Sequence, residues 1–187
     1  MPDERFTELV SDRLRLRRFA RSDLTTFLAY RSDPDVARYQ DWDAPYPRAD
    51  GERMICELLG EHPDTTGQWF QYAMVLRGTG ELIGDCASGT DATDPRQAEI
   101  GFTLRPEFQG QGYATEAARL LLGYLFGARS KHRVTARCDP RNAASVAVLE
   151  RLGMRREGYL RESTWAKGEW TDDLLYAMLD REWRQRG

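Results

Sequence analysis

The stretch AEIGFTLRPEFQGQGYATEAA, from Ala98 to Ala118, predicts a strand, a turn and a helix in succession. Ile100, Phe102 and Leu104 alternate with small or polar residues, which is the two-residue period of a strand. Pro106 cannot donate a hydrogen bond to a neighbouring strand, so the strand ends before it. We expect the rest of the fold to be arranged around this segment.

A glycine-bearing loop, Gln109 to Ala114, leads into the predicted helix. The first backbone N–H groups of a helix have no partner within it, and they lie at the positive end of the helix dipole. Gly110 and Gly112 leave these groups open to a ligand because neither residue carries a Cβ. The loop therefore predicts an anion site, most naturally for phosphates, with a tight turn that binds nothing as the alternative.

Two common phosphate loops fit this segment poorly. A nucleotide-hydrolase loop needs a lysine after its last glycine, and Tyr113 and Ala114 follow Gly112 instead. A dinucleotide-binding loop needs a third glycine, and Thr115 takes its place.

The composition predicts one globular domain spanning residues 1–187, with 41% hydrophobic and 30% charged residues. No apolar run approaches the roughly 18 residues that a membrane span needs, and the charged segment Met1 to Arg5 does not resemble a secretion signal. The formal net charge of −3 does not favour general attraction to nucleic acid. We therefore expect a cytoplasmic protein with neither a nucleic-acid nor a membrane partner.

The three cysteines and two histidines indicate neither a disulfide framework nor a metal site. Cys138 ends a predicted strand, but His132 lies at the other end of that strand, roughly 20 Å away by strand rise. A covalent mechanism through Cys138 is therefore disfavoured, since the thiol has no histidine to activate it.

Hydrophobic periodicity predicts the element order β α α β β β α β α β β. The expected strands are 13–19, 69–76, 81–88, 98–104, 133–138, 156–165 and 170–179. This order predicts a mixed, mostly antiparallel sheet of about seven strands with about four helices on its faces, of α/β or α+β type.

The motif Gln109-x-x-Gly112-x-Ala114 resembles the acyl-CoA loop of the GCN5-related N-acetyltransferases, known as GNAT enzymes. The segment 98–104 resembles the fourth strand of that family, and Asn142-x-x-Ser145 with 149–154 resembles the helix after its fifth strand. The likeness covers nearly the whole chain. It is greatest to the branch with the Rim-type ribosomal-protein acetyltransferases and the spermidine and aminoglycoside acetyltransferases.

The resemblance implies the GNAT acyl-CoA acyltransferase fold, in which the fourth and fifth strands splay apart to admit acetyl-CoA. It implies that pantetheine pairs with the backbone of the fourth strand and that the pyrophosphate lies on the loop amides. No metal is implied. The cofactor-binding residues implied in this way are Phe102, Thr103, Leu104, Gln109, Gly110, Gln111, Gly112, Tyr113, Ala114, Asn142 and Ser145.

Acetyl transfer to an amine needs a neutral nucleophile, stabilisation of the oxyanion and a proton for the leaving thiolate. The resemblance makes Glu99 the candidate base, with Asp85 on the neighbouring strand as a weaker second carboxylate; an outward-facing strand glutamate is the alternative for Glu99. It offers Ser145 as the proton donor, because Leu149 stands where many members have a tyrosine. Asn142 and Ser145 could instead serve only as a helix cap. The backbone N–H of Phe102 or of Thr103 would meet the oxyanion.

We therefore predict an acetyl-CoA-dependent N-acetyltransferase acting on a protein N-terminus or on a small cationic amine such as an aminoglycoside, a polyamine or an amino acid. Tyr39, Trp42 and Asp85 are the predicted substrate-binding residues, since they suggest an acidic, aromatic pocket. The alternatives are a non-catalytic acyl-CoA sensor or scaffold, and an enzyme that uses a larger acyl-CoA such as succinyl-CoA. The expected partners are acyl-CoA and the amine acceptor, and a homodimer is compatible with this prediction.

Overall fold

A computed structural model describes residue 6 and residues 8–186 of the chain, so the predicted absence of a secretion signal at Met1–Arg5 falls outside the described residues. Within the described part, the strands are β1 Glu8–Val10, β2 Leu14–Arg17, β3 Trp69–Leu76, β4 Leu82–Thr90, β5 Gln97–Leu104, β6 Arg133–Cys138, β7 Arg155–Ala166 and β8 Glu169–Leu179. These eight strands form one mixed sheet in the order β1-β2-β3-β4-β5-β6-β8-β7.

Six helices accompany the sheet in the described residues: α1 Leu24–Arg31, α2 Pro34–Ala37, α3 Arg48–Gly60, α4 Tyr113–Phe126, α5 Ala143–Leu152 and α6 Asp180–Arg184. The fold class is as predicted. The additional elements are β1, α2 and α6, which have three to five residues each and are too short for a periodic pattern. The predicted fourth and fifth strands correspond to β5 and β6, because the additional strand β1 shifts the numbering by one.

The predicted splay lies between β5 and β6, which are parallel neighbours. In the described residues they pair at three positions, Gln97 with Arg133, Ala98 with Val134 and Glu99 with Thr135. Beyond that row, β5 remains paired with β4 as far as Leu104, and β6 remains paired with β8 as far as Cys138. The two strands therefore diverge while each keeps its outer partner.

Each face of the sheet is covered by different helices. The Tyr72 ring packs on Phe6, which in turn packs on Tyr124 of α4 at 5.6 Å. On the other face, Asp85 accepts a hydrogen bond from the hydroxyl of Tyr30 in α1. We call these the α4 face and the α1 face. Directly opposed residues of paired strands lie on the same face, so the β-pairing assigns every central strand residue to one of the two.

The position of helix α4, which follows the glycine loop, is set by packing of its apolar side on the sheet. Its buried residues are Ala117, Ala118, Leu121, Leu122, Leu125 and Phe126. This pattern is the three- and four-residue spacing of a helix with one apolar face. Packing of this face fixes where the helix begins, and hence where its free N–H groups lie.

Truncation of this packed face is expected to destabilise the protein. Leu121 is fully buried, so Leu121→Ala should lower the free energy of unfolding by about 2–5 kcal/mol through lost contacts and a residual cavity. Leu59→Ala, which removes the same atoms from a side chain 42% exposed, should change it by about 0.5 kcal/mol or less. Urea titrations of both variants measure the difference, and equal losses would contradict the assigned packing.

Candidate functional site

The loop before α4 is held open by two glycines with left-handed backbone conformations. Gly110 has φ 73° and Gly112, the N-cap of α4, has φ 82°. These values suit glycine, since side chains are disfavoured in that region. The first helical hydrogen bond of α4 runs from the N–H of Glu116 to the carbonyl of Gly112. The N–H groups at the start of the helix are therefore available to a ligand.

Two glutamines brace this loop from within. The Gln109 side chain donates to the carbonyl of Leu104 at 3.0 Å, and the Gln111 side chain donates to the carbonyl of Glu107 at 2.9 Å. Their side chains therefore stabilise the loop conformation.

A cleft of about 510 Å³ opens beside the loop. It lies between the end of β5, the start of α4, the start of α5 and the α2 segment. Of the predicted cofactor-binding residues it is lined by Phe102, Thr103, Leu104, Gln109, Gly110, Gly112, Tyr113, Ala114, Asn142 and Ser145. Gln111 is not among the lining residues of this cleft.

The cleft continues into a narrow cavity of about 90 Å³ between the diverging strands. The two share Tyr39, Gln40, Phe102, Asn142 and Ser145. Ile100 and Cys138 line the narrow cavity from the α4 face, whereas Gly101 and Arg137 line it from the α1 face. We call this cavity the passage, because residues of both sheet faces surround it.

The end of the cleft at the glycine loop carries features that the sequence motifs did not single out. The Thr115 hydroxyl is buried and has no hydrogen-bond partner among the described residues, although it lines the cleft in the first turn of α4. Arg119 and Arg151 border the adjoining groove, and neither forms an ion pair with a residue that the structure describes. An orphaned hydroxyl, two unpaired guanidiniums and free helix N–H groups fit a phosphorylated ligand.

Asn142 and Ser145 both line the cleft and cap α5. The Asn142 side-chain oxygen accepts a hydrogen bond from the backbone N–H of Ser145 at 3.2 Å. Leu149, one turn further on, is buried against the passage and has no proton to donate. Between Ser145 and Leu149, the Ser145 hydroxyl is therefore the side chain able to donate a proton.

Glu99 lies on the α1 face, at the row where β5 and β6 last pair. Burial raises the pKa of its carboxyl group, the charge of Arg137 opposes this rise, and Asp173 adds to it. Its carboxylate forms no hydrogen bond or ion pair with any described residue. Gly101, the next residue of β5 on this face, lines the passage and lies about 7 Å further along the strand. An unpaired carboxylate with a raised pKa, close to the passage, suits a general base.

Asp85 is not placed as the sequence suggested. It lies in the core under α1, where its side chain is 3% exposed, and lines neither the cleft nor the passage. It accepts a hydrogen bond from the Tyr30 hydroxyl at 2.5 Å and lies 3.7 Å from the Arg31 guanidinium. Burial raises the pKa of this carboxyl group. This position does not support direct substrate contact, because a helix covers the side chain.

The two predicted aromatic residues have different environments. Tyr39 lines both the cleft and the passage. Trp42 instead packs on the core: its ring lies 3.9 Å from the Arg31 guanidinium, and its indole N–H donates to the Arg31 carbonyl at 3.0 Å. Trp42 therefore supports the loop that carries Tyr39.

Cys138 lines the passage, but its thiol is poorly suited to nucleophilic chemistry. Burial raises its pKa to about 11, and the nearby charges of Asp139 and Asp173 act in the same direction. The reactive thiolate is therefore scarce at neutral pH.

The described residues contain neither a membrane-spanning helix nor a group of side chains suited to a metal ion. Each of its helices falls short of the length and apolar character needed to cross a bilayer. Its histidine, cysteine and acidic side chains do not gather in a group of three or more that could hold a metal ion.

Comparison with known proteins gives one consistent family. The model of the acetyltransferase (GNAT) domain matches residues 13–155. The chain is 30% identical to the uncharacterized N-acetyltransferase p20 of Bacillus licheniformis, over 94% of this chain and 97% of the relative. Its fold matches a GNAT-family acetyltransferase from Bacillus anthracis with a TM-score of 0.85 and 30% identity, over 94% of this chain and 100% of the other. It is also 31% identical to the ribosomal protein uS5-alanine N-acetyltransferase of Escherichia coli, over 45% of this chain and 43% of that enzyme.

Proposed function

This chain belongs to the GNAT family and is an N-acetyltransferase, and we propose that it transfers the acetyl group of acetyl-CoA directly to a primary amine within a ternary complex. The passage between β5 and β6 is the observation that carries this proposal. It connects the cleft at the phosphate loop to the α1 face, where the unpaired Glu99 carboxylate lies nearby.

Acetyl-CoA, which supplies an activated acetyl thioester, fits the groups along this path. The free N–H groups at Gly110 to Ala114 and the unpartnered Thr115 hydroxyl suit the pyrophosphate. Arg119 and Arg151 supply positive charge for the nucleotide phosphates. The backbone of β5 beyond Glu99 has no β6 partner, so it is able to pair with the pantetheine amides.

Three groups of the chain share the acid–base work in this proposal. The Glu99 carboxylate accepts the proton that the acceptor nitrogen loses. The backbone N–H of Phe102 or Thr103 donates to the thioester oxygen as negative charge develops there. The Ser145 hydroxyl, at the junction of cleft and passage, protonates the departing sulfur.

The acceptor is a protein N-terminus or a small cationic amine, and one experiment tests both activity and acceptor class. Thiol release from acetyl-CoA is measured with N-terminal peptides, a polyamine, an aminoglycoside and free amino acids, with succinyl-CoA as a parallel donor. We expect release above the hydrolytic background with at least one amine and acetyl-CoA. Binding of CoA without release for any amine would contradict the proposal.

Gly112→Glu should weaken CoA binding by at least about tenfold, because it places a negative charge at the phosphate end and forces a side chain into a left-handed conformation. Gly80→Glu is the matched control, since Gly80 has φ 76° in the β3–β4 turn, away from the cleft. Calorimetric titration with CoA compares the two. Equal affinities in both variants would show that the loop does not hold the cofactor.

Glu99→Gln should lower kcat by about a hundredfold or more, because the amide cannot accept the proton.

In the wild type, kcat at saturating acceptor should fall as the pH drops through the raised pKa of Glu99. Arg137→Gln should move this acidic limb of the pH–rate profile to higher pH, because it removes the charge that opposes the rise in the pKa of Glu99. Steady-state rates from pH 4.5 to 9 measure both effects. A shift of the limb to lower pH in Arg137→Gln would overturn the assignment of Glu99.

A further inference from the structure

Four directly opposed residues form a row across the α1 face. Trp69 of β3 pairs with Gly89 of β4, Gly89 with Glu99 of β5, and Glu99 with Thr135 of β6. All four line one cleft of about 240 Å³ on this face. Trp69 belongs to none of the sequence motifs, and it takes no part in the transfer chemistry described above.

Gly89 lets the Trp69 indole lie directly on the sheet. A Cβ built at Gly89 would come within 2.6 Å of the indole ring, so only glycine fits beneath the present ring position. Trp69 is nevertheless 50% exposed, which is high for so large an apolar side chain. The indole thus covers Gly89, the one residue that separates Trp69 from Glu99 in this row.

The Trp69 indole and the Glu99 carboxylate both attract cations. A cation is attracted to the face of an indole ring, and it is attracted to a carboxylate that has no other partner. Asp91 adds an acidic side chain to the lining, and the charged Arg137 is absent from it. A carboxylate or phosphate would be repelled here.

We propose that this cleft is the acceptor subsite, and that it binds a small primary alkylamine as its ammonium ion between the Trp69 indole and the Glu99 carboxylate. This inference rests on the proposed acetyl transfer and specifies its acceptor. It makes Trp69 a substrate-binding residue. Amines with an adjacent carboxylate, such as free amino acids, bind less well because of Glu99 and Asp91.

The backbone pairing of the strands at this row favours small acceptors over extended peptides. Peptides commonly bind by adding to a free strand edge, but at this row β4, β5 and β6 are each paired on both sides. The edge that β3 leaves unpaired at Trp69 lies on the side of β3 away from Glu99. The volume of about 240 Å³ also lies below the several hundred Å³ of sites for larger ligands.

The acceptor nitrogen loses two protons during the transfer. One N–H bond of the ammonium breaks and its proton passes to the Glu99 carboxylate, which later releases it to solvent. The neutral amine moves along β5 to the passage and forms an N–C bond with the thioester carbon as the C–S bond breaks and the sulfur takes the Ser145 hydroxyl proton. The second proton of the nitrogen returns to Ser145, giving an N-alkylacetamide and free CoA.

Kinetics with n-butylamine test the role of Trp69. Trp69→Leu should raise the KM for butylamine about tenfold while kcat stays within about threefold, and Trp69→Phe should recover much of the affinity. Trp170→Leu is the matched control, because Trp170 is 58% exposed and lines neither the cleft, the passage nor the acceptor subsite. Unchanged KM in Trp69→Leu would overturn the inference.

A binding measurement separates this inference from the proposed function. The five tryptophan side chains give separate indole N–H signals in a nitrogen-15 spectrum, and Trp69→Phe identifies that of Trp69. Butylamine should shift this signal selectively, whereas butyrate and 4-aminobutyrate should shift it less. A shift without thiol release keeps the subsite but overturns acetyl transfer. Thiol release without a shift, or a shift by a short peptide but not by butylamine, overturns the subsite.

Discussion

The three-residue pairing of β5 with β6 is the constraint on which the site depends. Each strand keeps its antiparallel partner on the other side, β4 for β5 and β8 for β6, so divergence leaves the rest of the sheet intact. The sheet therefore remains continuous around an opening in its middle. Apolar packing of α4 holds the glycine loop at one end of that opening, and the Glu99 row closes the other.

The proposed cofactor and acceptor sites differ in charge. The glycine loop, Thr115 and the cap of α5 lie along the cleft, where we propose that backbone N–H groups and positive charge recognise a nucleotide cofactor. Glu99 and Trp69 line a separate cleft on the α1 face, which we propose binds a cation. In this proposal an anionic cofactor and a cationic acceptor are directed to different clefts by charge.

Local patterns were enough to predict the central segment but not the environment of individual strand residues. The alternation at 98–104, the glycines and the helix start each follow from short-range chemistry, so strand, loop and helix were predictable. The same alternation could not reveal that α1 covers Asp85, since that depends on contacts made by Tyr30 and Arg31 far away in sequence. The role that we propose for Trp69 could not be predicted either, because it depends on the pairing of Trp69 with Gly89.

The divergence of β5 and β6 also creates an internal strand edge. Exposed edges of β-sheets are templates on which other chains aggregate, and proteins usually shield them with charges, bulges or short strands. Here the unpaired edge lies inside the sheet: residues 100–102 line the narrow passage and residues 102–104 line the larger cleft. Because β6 lies on the other side of this opening and keeps its own partner β8, the edge is not exposed along the outside of the sheet where other strands would add to it.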